Sequence, residues 1–185
     1  MEILRTEIED VKVLKPKVFQ DARGYFIETY SEQRYWECGI DCHFVQDNES
    51  MSMRGVLRGL HYQVAPQAQA KLIRVVRGAV LDVAVDIREN SPTFGQYVVV
   101  ELSEYNKQQI YIPHGFAHGF LVLEDNTIFS YKCDAFYNAQ CERGIRWDDP
   151  KIAIPWPKLD IPFNLSEKDK KQPLLSEIES FGIVT

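Results

Sequence analysis

From Lys71 to Cys133 the chain is a succession of short runs rich in Val, Ile and aromatic residues, each closed by a turn signal. The runs are Lys71–Val76, Val80–Ile87, Gln96–Leu102, Gln108–Ile112, Phe120–Leu123 and Ile128–Cys133. Between them stand Gly78, Asn90-Ser91-Pro92, Glu104-Tyr105-Asn106, Pro113-His114-Gly115 and Asp125-Asn126. β-branched and aromatic side chains suit the pleated surface of a strand, while Gly, Pro and Asn supply turn backbones. In the second run Leu81, Val83, Val85 and Ile87 make an apolar face, and Asp82, Ala84 and Asp86 alternate onto the other. This spacing predicts an all-β sandwich or barrel. Helical signals stay on the flanks. Ser31 is placed to cap a helix over Glu32–Glu37 that Gly39 ends, and Ser166-Glu167-Lys168-Asp169 has the form of a capping box before a helix limited by Pro173.

The 185 residues read as one domain, 1–185, large enough for a sizeable core. The opening MEILRTEIEDVK has no apolar core of a secretory signal, and no apolar run reaches membrane-spanning length, so the chain reads as cytoplasmic. Cys38, Cys42, Cys133 and Cys141 lack the paired spacing of a zinc site and read as small core or surface residues.

The formal net charge is -6, yet Ser50 to Leu81 holds no acidic residue and carries Arg54, Arg58, Lys71, Arg74, Arg77 and His61. A basic island in an acidic chain is too narrow for a nucleic-acid footprint and suits one compact anion such as a diphosphate. At its centre lies GVLRGLHYQ, Gly55 to Gln63. Arg58 and His61 differ by an odd number of positions, so in a regular strand they face opposite ways. If both serve one pocket, the pleat must be interrupted between them, and Gly59 is the natural place.

Gly55, His61-Tyr62-Gln63 and the closing Gly78 resemble the first motif of the cupin superfamily, and Pro113-His114-Gly115-Phe116-Ala117-His118 the second. Metal-binding cupins draw two His and a Glu from the first motif and a His from the second. Here Gln63 takes one ligand position and the glutamate position falls near Gln67 or Ala68, leaving His61 and His118. Two imidazoles alone are a poor divalent site. The plainer reading of a lone histidine on a strand is a hydrogen-bonded core residue. Flanking cations favour a different one, because a buried imidazole beside positive charge stays neutral and can act as a base.

Together the stretches FQDARGYFIE, GVLRGLHYQ, QAKLIRVVRGAVLDVAVDIR, SPTFG, YIPHGFAHGFLVL, YKCDAFY, IRWDDP, IPWP and LSEKDK, from Phe19 to Lys170, closely resemble the deoxythymidine-diphosphate (dTDP) 4-dehydrorhamnose 3,5-epimerase family. The resemblance implies a cupin-like jelly roll with short flanking helices and a homodimer that exchanges strands. It implies epimerisation at C3 and C5 of dTDP-4-dehydro-6-deoxy-D-glucose with no cofactor and no metal. A ketone at C4 acidifies both neighbouring C–H bonds, so the site needs a base, an opposed acid and a cation at the enolate oxygen. By motif, His61 resembles the base, Tyr131 the acid, Lys71 the enolate-steadying cation and Asp169 the carboxylate that orients the base.

Each has a plainer rival. Tyr131 alternates with Phe129 and Cys133 like a core aromatic, Asp169 suits the acid of a capping box, and Lys71 suits an exposed strand edge. The resemblance extends to substrate contacts. It implies Arg23, Phe26 and Glu28 on the nucleotide, contributed by the neighbouring subunit; Gln46 and Asn48 near thymine and sugar; and Tyr137 stacked on thymine. It also implies Arg58, His118 and Lys168 around diphosphate and hexose, with Glu142 another contact. For Arg23 a tight turn, and for Glu28 a solvated strand face, are the simpler alternatives. Two further functions belong beside the double epimerase: a monoepimerase or ketoisomerase on a related dTDP-ketosugar, and a non-catalytic sugar-nucleotide-binding cupin. The presence of both His61 and Tyr131 favours the double epimerase. No nucleic-acid or membrane partner is expected.

Overall fold

The computed structural model describes residues 1–178, so 179–185 of the expected single domain lie outside the described residues. Alternating sequence becomes two antiparallel sheets packed face to face. The first, in spatial order, is β1 (Glu2–Leu4), β2 (Lys12–Lys15), β10 (Gln109–Ile112), β7 (Lys71–Arg77), β12 (Thr127–Cys133) and β5 (Gln46–Ser52). The second is β13 (Glu142–Gly144), β6 (Leu57–Gln63), β11 (Phe116–Val122), β8 (Ala79–Asp86) and β9 (Tyr97–Ser103). A separate hairpin joins β3 (Val18–Asp21) to β4 (Gly24–Ile27). Helices are confined to α1 (Glu32–Glu37) and α2 (Glu167–Lys170), with a 3-10 turn at Leu175–Glu177. No helix among the described residues is long and apolar enough to cross a membrane.

The main core fills the space between the sheets, with Ile73, Val75, Phe129, Ala84, Val98 and Phe120 at its centre. A second core lies on the outer face of the five-stranded sheet, where Ile145, Ile152 and Leu175 cover Val83, Val85 and Ile87. The opposite face of β8, which carries Asp82, Ala84 and Asp86, turns inward toward the six-stranded sheet rather than outward. Asp82 and Asp86 are both fully buried, because the strand is central and closed on both sides. Asp86 is satisfied by the Arg88 guanidinium and the hydroxyls of Ser91 and Thr93.

Of the six expected runs, five match β7, β8, β9, β10 and β12 to within a residue at each end, while β1, β2, β3, β5 and β13 were not expected. β11 begins four residues earlier than predicted, since Gly115 (φ 78°) completes the turn and frees Phe116 to start pairing with Asp86. β4 ends at Ile27. Beyond it the Thr29 carbonyl accepts from Tyr35 Oη and Gln109 Nε2, which draws the chain onto the six-stranded sheet. At α1, Ser31 occupies the N-cap position but its side chain makes no capping bond.

The interruption expected at Gly59 is present. His61 pairs with His118 and Arg58 with Phe120, so three steps along β6 oppose two along β11. Such a bulge reverses parity and turns both side chains to one side. Gly59 has φ 126°, and a Cβ there would sit 2.5 Å from Gly119 Cα and 2.8 Å from the His118 carbonyl oxygen. Both neighbours are backbone and cannot swing away. Gly59→Ala is expected to destabilise the fold by more than about 2 kcal/mol, from the disfavoured backbone and the clash together. A denaturation midpoint equal to wild type would refute this.

Candidate active site

Residues of both sheets line a cavity of about 560 Å³. His61 on β6 and His118 on β11 line it from the five-stranded sheet; Asn48 on β5, Lys71 on β7 and Tyr131 on β12 line it from the six-stranded sheet. Arg58, Glu142, Lys168 and Asp169 complete its wall. The imidazoles and the phenol therefore face each other from opposite layers.

His61 Nε2 lies 2.5 Å from Asp169 Oδ1. A carboxylate only accepts, so Nε2 carries the hydrogen and the lone pair is left on Nδ1. Asp169 is only 3% exposed, and its pKa is still held below the ordinary value. Burial alone would raise it, but the His61 bond and charge, the Ser166 hydroxyl and the Gly59 backbone N–H outweigh burial. Half of the expected capping box is formed, with Ser166 Oγ accepting from the Asp169 N–H, while the Asp169 carboxylate serves His61.

The segment that carries Asp169 is tied at both ends. Asn164 exchanges backbone bonds with Gly55 and Leu57, and Asp149 Oδ2 accepts the Leu175 N–H at 2.7 Å. Neither Asn164 nor Asp149 carries a local signal for this role, because the partners lie on distant parts of the chain.

Lys71 is in mid-sheet, between β10 and β12, which corrects the strand-edge alternative. Its Nζ is 6.0 Å from the Tyr131 ring centroid. Burial lowers the Lys71 pKa, while Cys133, Asp82 and Glu142 act in the opposite direction. Tyr131 shares the inward face with Phe129 and packs partly on the core, yet its side borders the cavity. Burial raises its pKa, with Cys133 adding to the rise and Arg58 opposing it, so the phenol keeps its proton at neutral pH.

His118 is stacked near Phe120 and Phe129, with ring centroids 6.1 Å away in each case. Burial pushes its pKa down against the pull of Asp82, whose Oδ2 is 3.0 Å from Nε2. Asp82 is a residue that sequence reading missed as part of the site, since alternation alone placed it on a polar face.

At the mouth, Glu142 Oε2 accepts from Lys168 Nζ and from Tyr137 Oη. Gln46 Oε1 accepts the Tyr137 N–H and Gln46 Nε2 donates to Asn48 Oδ1. Arg58 Nη2 reaches Ser52 Oγ at 3.2 Å. Only part of the basic island arrives here. Arg54 pairs with Asp160, Arg77 is exposed at a strand end, and Arg74 lies on the other face of β7 because it is an odd number of residues from Lys71. Arg23, Phe26 and Glu28 also stay outside. Arg23 pairs with Asp21, Phe26 is 69% exposed, and Glu28 pairs with Arg34.

The motif position of a second metal-binding histidine is held by Gln63. Its amide donates to the Gln67 and Phe136 carbonyls and accepts the Asn138 N–H, so it ties the rim loop in place. Among the described residues no three His, Cys, Asp or Glu gather as a metal site. The donor set does not fit a divalent ion. The four cysteines are free, and burial pushes the Cys133 thiol up to about 11.

Comparison with known proteins places this arrangement among sugar-nucleotide enzymes. The family profile for dTDP-4-dehydrorhamnose 3,5-epimerase matches residues 5–177. A dTDP-4-dehydrorhamnose 3,5-epimerase of Shigella flexneri is 54% identical over 170 residues, which cover 91% of this chain and 93% of that protein. The crystal structure of dTDP-6-deoxy-D-glucose-3,5-epimerase from Legionella pneumophila Philadelphia 1, in complex with dTDP-4-keto-L-rhamnose, aligns with a TM-score of 0.93 at 50% identity, over 96% of this chain and 94% of that one. A 3'-monoepimerase from Streptomyces bikiniensis, solved with dTDP as a His→Asn, Tyr→Phe double mutant, aligns with a TM-score of 0.87 at 34% identity, over 92% of this chain and 85% of that one.

Proposed function

The chain belongs to the dTDP-4-dehydrorhamnose 3,5-epimerase family, and we propose that its cavity inverts C3 and C5 of dTDP-4-dehydro-6-deoxy-D-glucose to give dTDP-4-dehydro-L-rhamnose. The observation that carries the mechanism is the opposition of His61, backed by Asp169, to Tyr131 on the facing sheet. A sugar ring between the layers has one face to a base and the other to an acid.

His61 Nδ1 takes the proton from C3 or C5, and the electron pair moves into the C4 carbonyl as an enolate. The Lys71 ammonium steadies the enolate oxygen, in a cavity where low polarity strengthens that attraction. Tyr131 gives its proton to the opposite face and the centre is inverted. Each cycle leaves a proton on His61 and removes one from Tyr131, and exchange with solvent restores both. Arg58 and Lys168 hold the diphosphate, while Tyr137, Gln46 and Asn48 receive the nucleoside end. The C4 ketone is the electron sink, so no cofactor or metal takes part.

The monoepimerase neighbour favours one second reading, inversion at C3 alone. A histidine and a tyrosine chosen for mutation in that enzyme mean that such a pair is no mark of double inversion. Identity near 50% to named 3,5-epimerases carries more weight. Incubation with the ketosugar in deuterated water, with and without a chelator, tests both points. Deuterium is expected at C3 and C5 at the same rate in both arms. Label at C3 alone would establish the monoepimerase, no label a binder, and loss of exchange on chelation a metal enzyme.

The hairpin supports a homodimer. Phe19, Tyr25 and Phe26 are 53%, 55% and 69% exposed on a two-stranded sheet that neither main sheet extends. A surface this apolar is normally covered. Exchange of hairpins between two copies would bring Arg23, Phe26 and Glu28 of each to the other's cavity, which they do not reach within one chain. Sedimentation at assay concentration is expected to give a dimer, and a fully active monomer would refute it.

A further inference from the structure

Behind the cavity wall lies a second carboxylate–imidazole pair that the acid–base steps above leave unused. In the antiparallel pairing of β8 with β11, Asp82 opposes Phe120 and His118 opposes Ala84, so Asp82 and His118 are diagonal neighbours on the inward face. Asp82 Oδ2 is 3.0 Å from His118 Nε2, and Asp82 is fully buried. Asp82 Oδ1 has no hydrogen-bond partner, and it is the only such buried side-chain atom among the described residues. A buried carboxylate oxygen left unpaired is costly, so a side chain that bears it is retained for some other return. His118 borders the cavity and Asp82 does not. Across β6, His118 is the register partner of His61, so two Asp-backed imidazoles stand side by side.

We propose that Asp82 is a positioning residue for the reaction: it takes the Nε2–H of His118 and so leaves the Nδ1 lone pair to accept a hydrogen bond from a hydroxyl of the bound hexose. On this assignment His118 is a neutral acceptor for the sugar, not a cation for the diphosphate. Three further observations fit. Phe120 and Phe129 stack with centroids 3.9 Å apart beside the ring and restrict its rotation. Lys71 and His61 are the other charged or titratable groups that face it, and both oppose a charge on His118. Phosphate-directed cations are already present as Arg58 and Lys168.

The inference rests on the epimerase reading, and its test separates the two. Long-range 15N correlation spectra of the wild-type protein at neutral pH, with the His118 signals assigned by their loss in His118→Gln, are expected to show Nε2 protonated and Nδ1 bare. An Nδ1–H tautomer or an imidazolium would overturn the proposal whatever the activity. In Asp82→Asn the fixed tautomer is expected to be lost and kcat to fall roughly 10–100-fold, as when the outer partner of a functional imidazole is removed. Affinity for dTDP, which lacks the hexose, is expected to stay within about two-fold, while affinity for dTDP-rhamnose falls. Wild-type kcat in Asp82→Asn, or equal loss of both ligands, would overturn positioning. Absence of solvent exchange in the wild type would instead remove the epimerase reading, and the tautomer measurement would still decide whether Asp82 sets His118.

Discussion

Replacing His61 with asparagine is expected to abolish both solvent exchange and product formation, while dTDP still binds. Asparagine has about the right size and polarity for the site but no lone pair basic enough to take a carbon-bound proton. Loss of a positioned general base costs roughly 10²–10⁴ in rate. Lys168 and Tyr137 belong to other segments, and Arg58, on β6 with His61, is held by its own backbone pairing with Phe120, so the groups proposed to take the diphosphate and the nucleoside stay in place. Deuterium incorporation and product should therefore vanish together, with dTDP affinity near wild type by titration. Exchange at both carbons in His61→Asn would mean that another residue is the base, and His118, its register partner, would be the first to test.

Asp169→Asn is expected to give the second largest loss, roughly 10²-fold in kcat, with a weakened base rather than none. The amide can turn its NH2 toward His61 Nε2, which moves the ring hydrogen to Nδ1 and takes the lone pair out of the cavity; a neutralised orienting carboxylate acts in this way in serine proteases. The same change has a pH signature in stability. The folded pKa of Asp169 lies below its ordinary value, where burial is outweighed by the His61 bond and charge. A depressed carboxyl stabilises the fold at pH above its unfolded pKa, about 4, and that contribution is lost as pH falls through the folded value. Wild type should thus exceed Asp169→Asn in stability at about pH 5, and the margin should shrink as pH falls through the folded value. Denaturation midpoints of both proteins across pH 3–8 measure it. A margin that grows in acid, or a variant with wild-type kcat, would contradict the assignment.

Much of this was legible in the chain, for reasons that differ from residue to residue. A strand has a side-chain period of two, so Val, Ile and aromatic alternation placed β7, β8, β9, β10 and β12 to within about a residue, and the odd spacing of Arg58 and His61 located a bulge at Gly59 before any pairing was known. Parity also divides the basic island, since Lys71 and Arg74, an odd number of residues apart on β7, face opposite ways. The Asp169 motif was ambiguous because one local pattern, Ser-Glu-Lys-Asp, serves a helix cap and a carboxylate aimed elsewhere, and here the backbone N–H took the first role while the carboxylate took the second.

What local period cannot report is what lies over each face of a strand. Alternation put Asp82 on the face of β8 opposite its apolar side and could say no more, yet that face turns toward the six-stranded sheet and the aspartate ends against His118. Asn164 and Asp149 act on the site only by bonding to Gly55, Leu57 and Leu175. Phe26 is exposed and its hairpin takes no part in lining the cavity that the motif resemblance links them to. Sequence by itself determined the strands from β7 to β12, the alternation along them and the identity of the chemical groups, because these depend on side-chain period and on functional-group chemistry. Tertiary structure alone decided which carboxylate meets which imidazole and which cations share the cavity, because those contacts join residues as far apart as 61 and 169 and exist only once two sheets have packed.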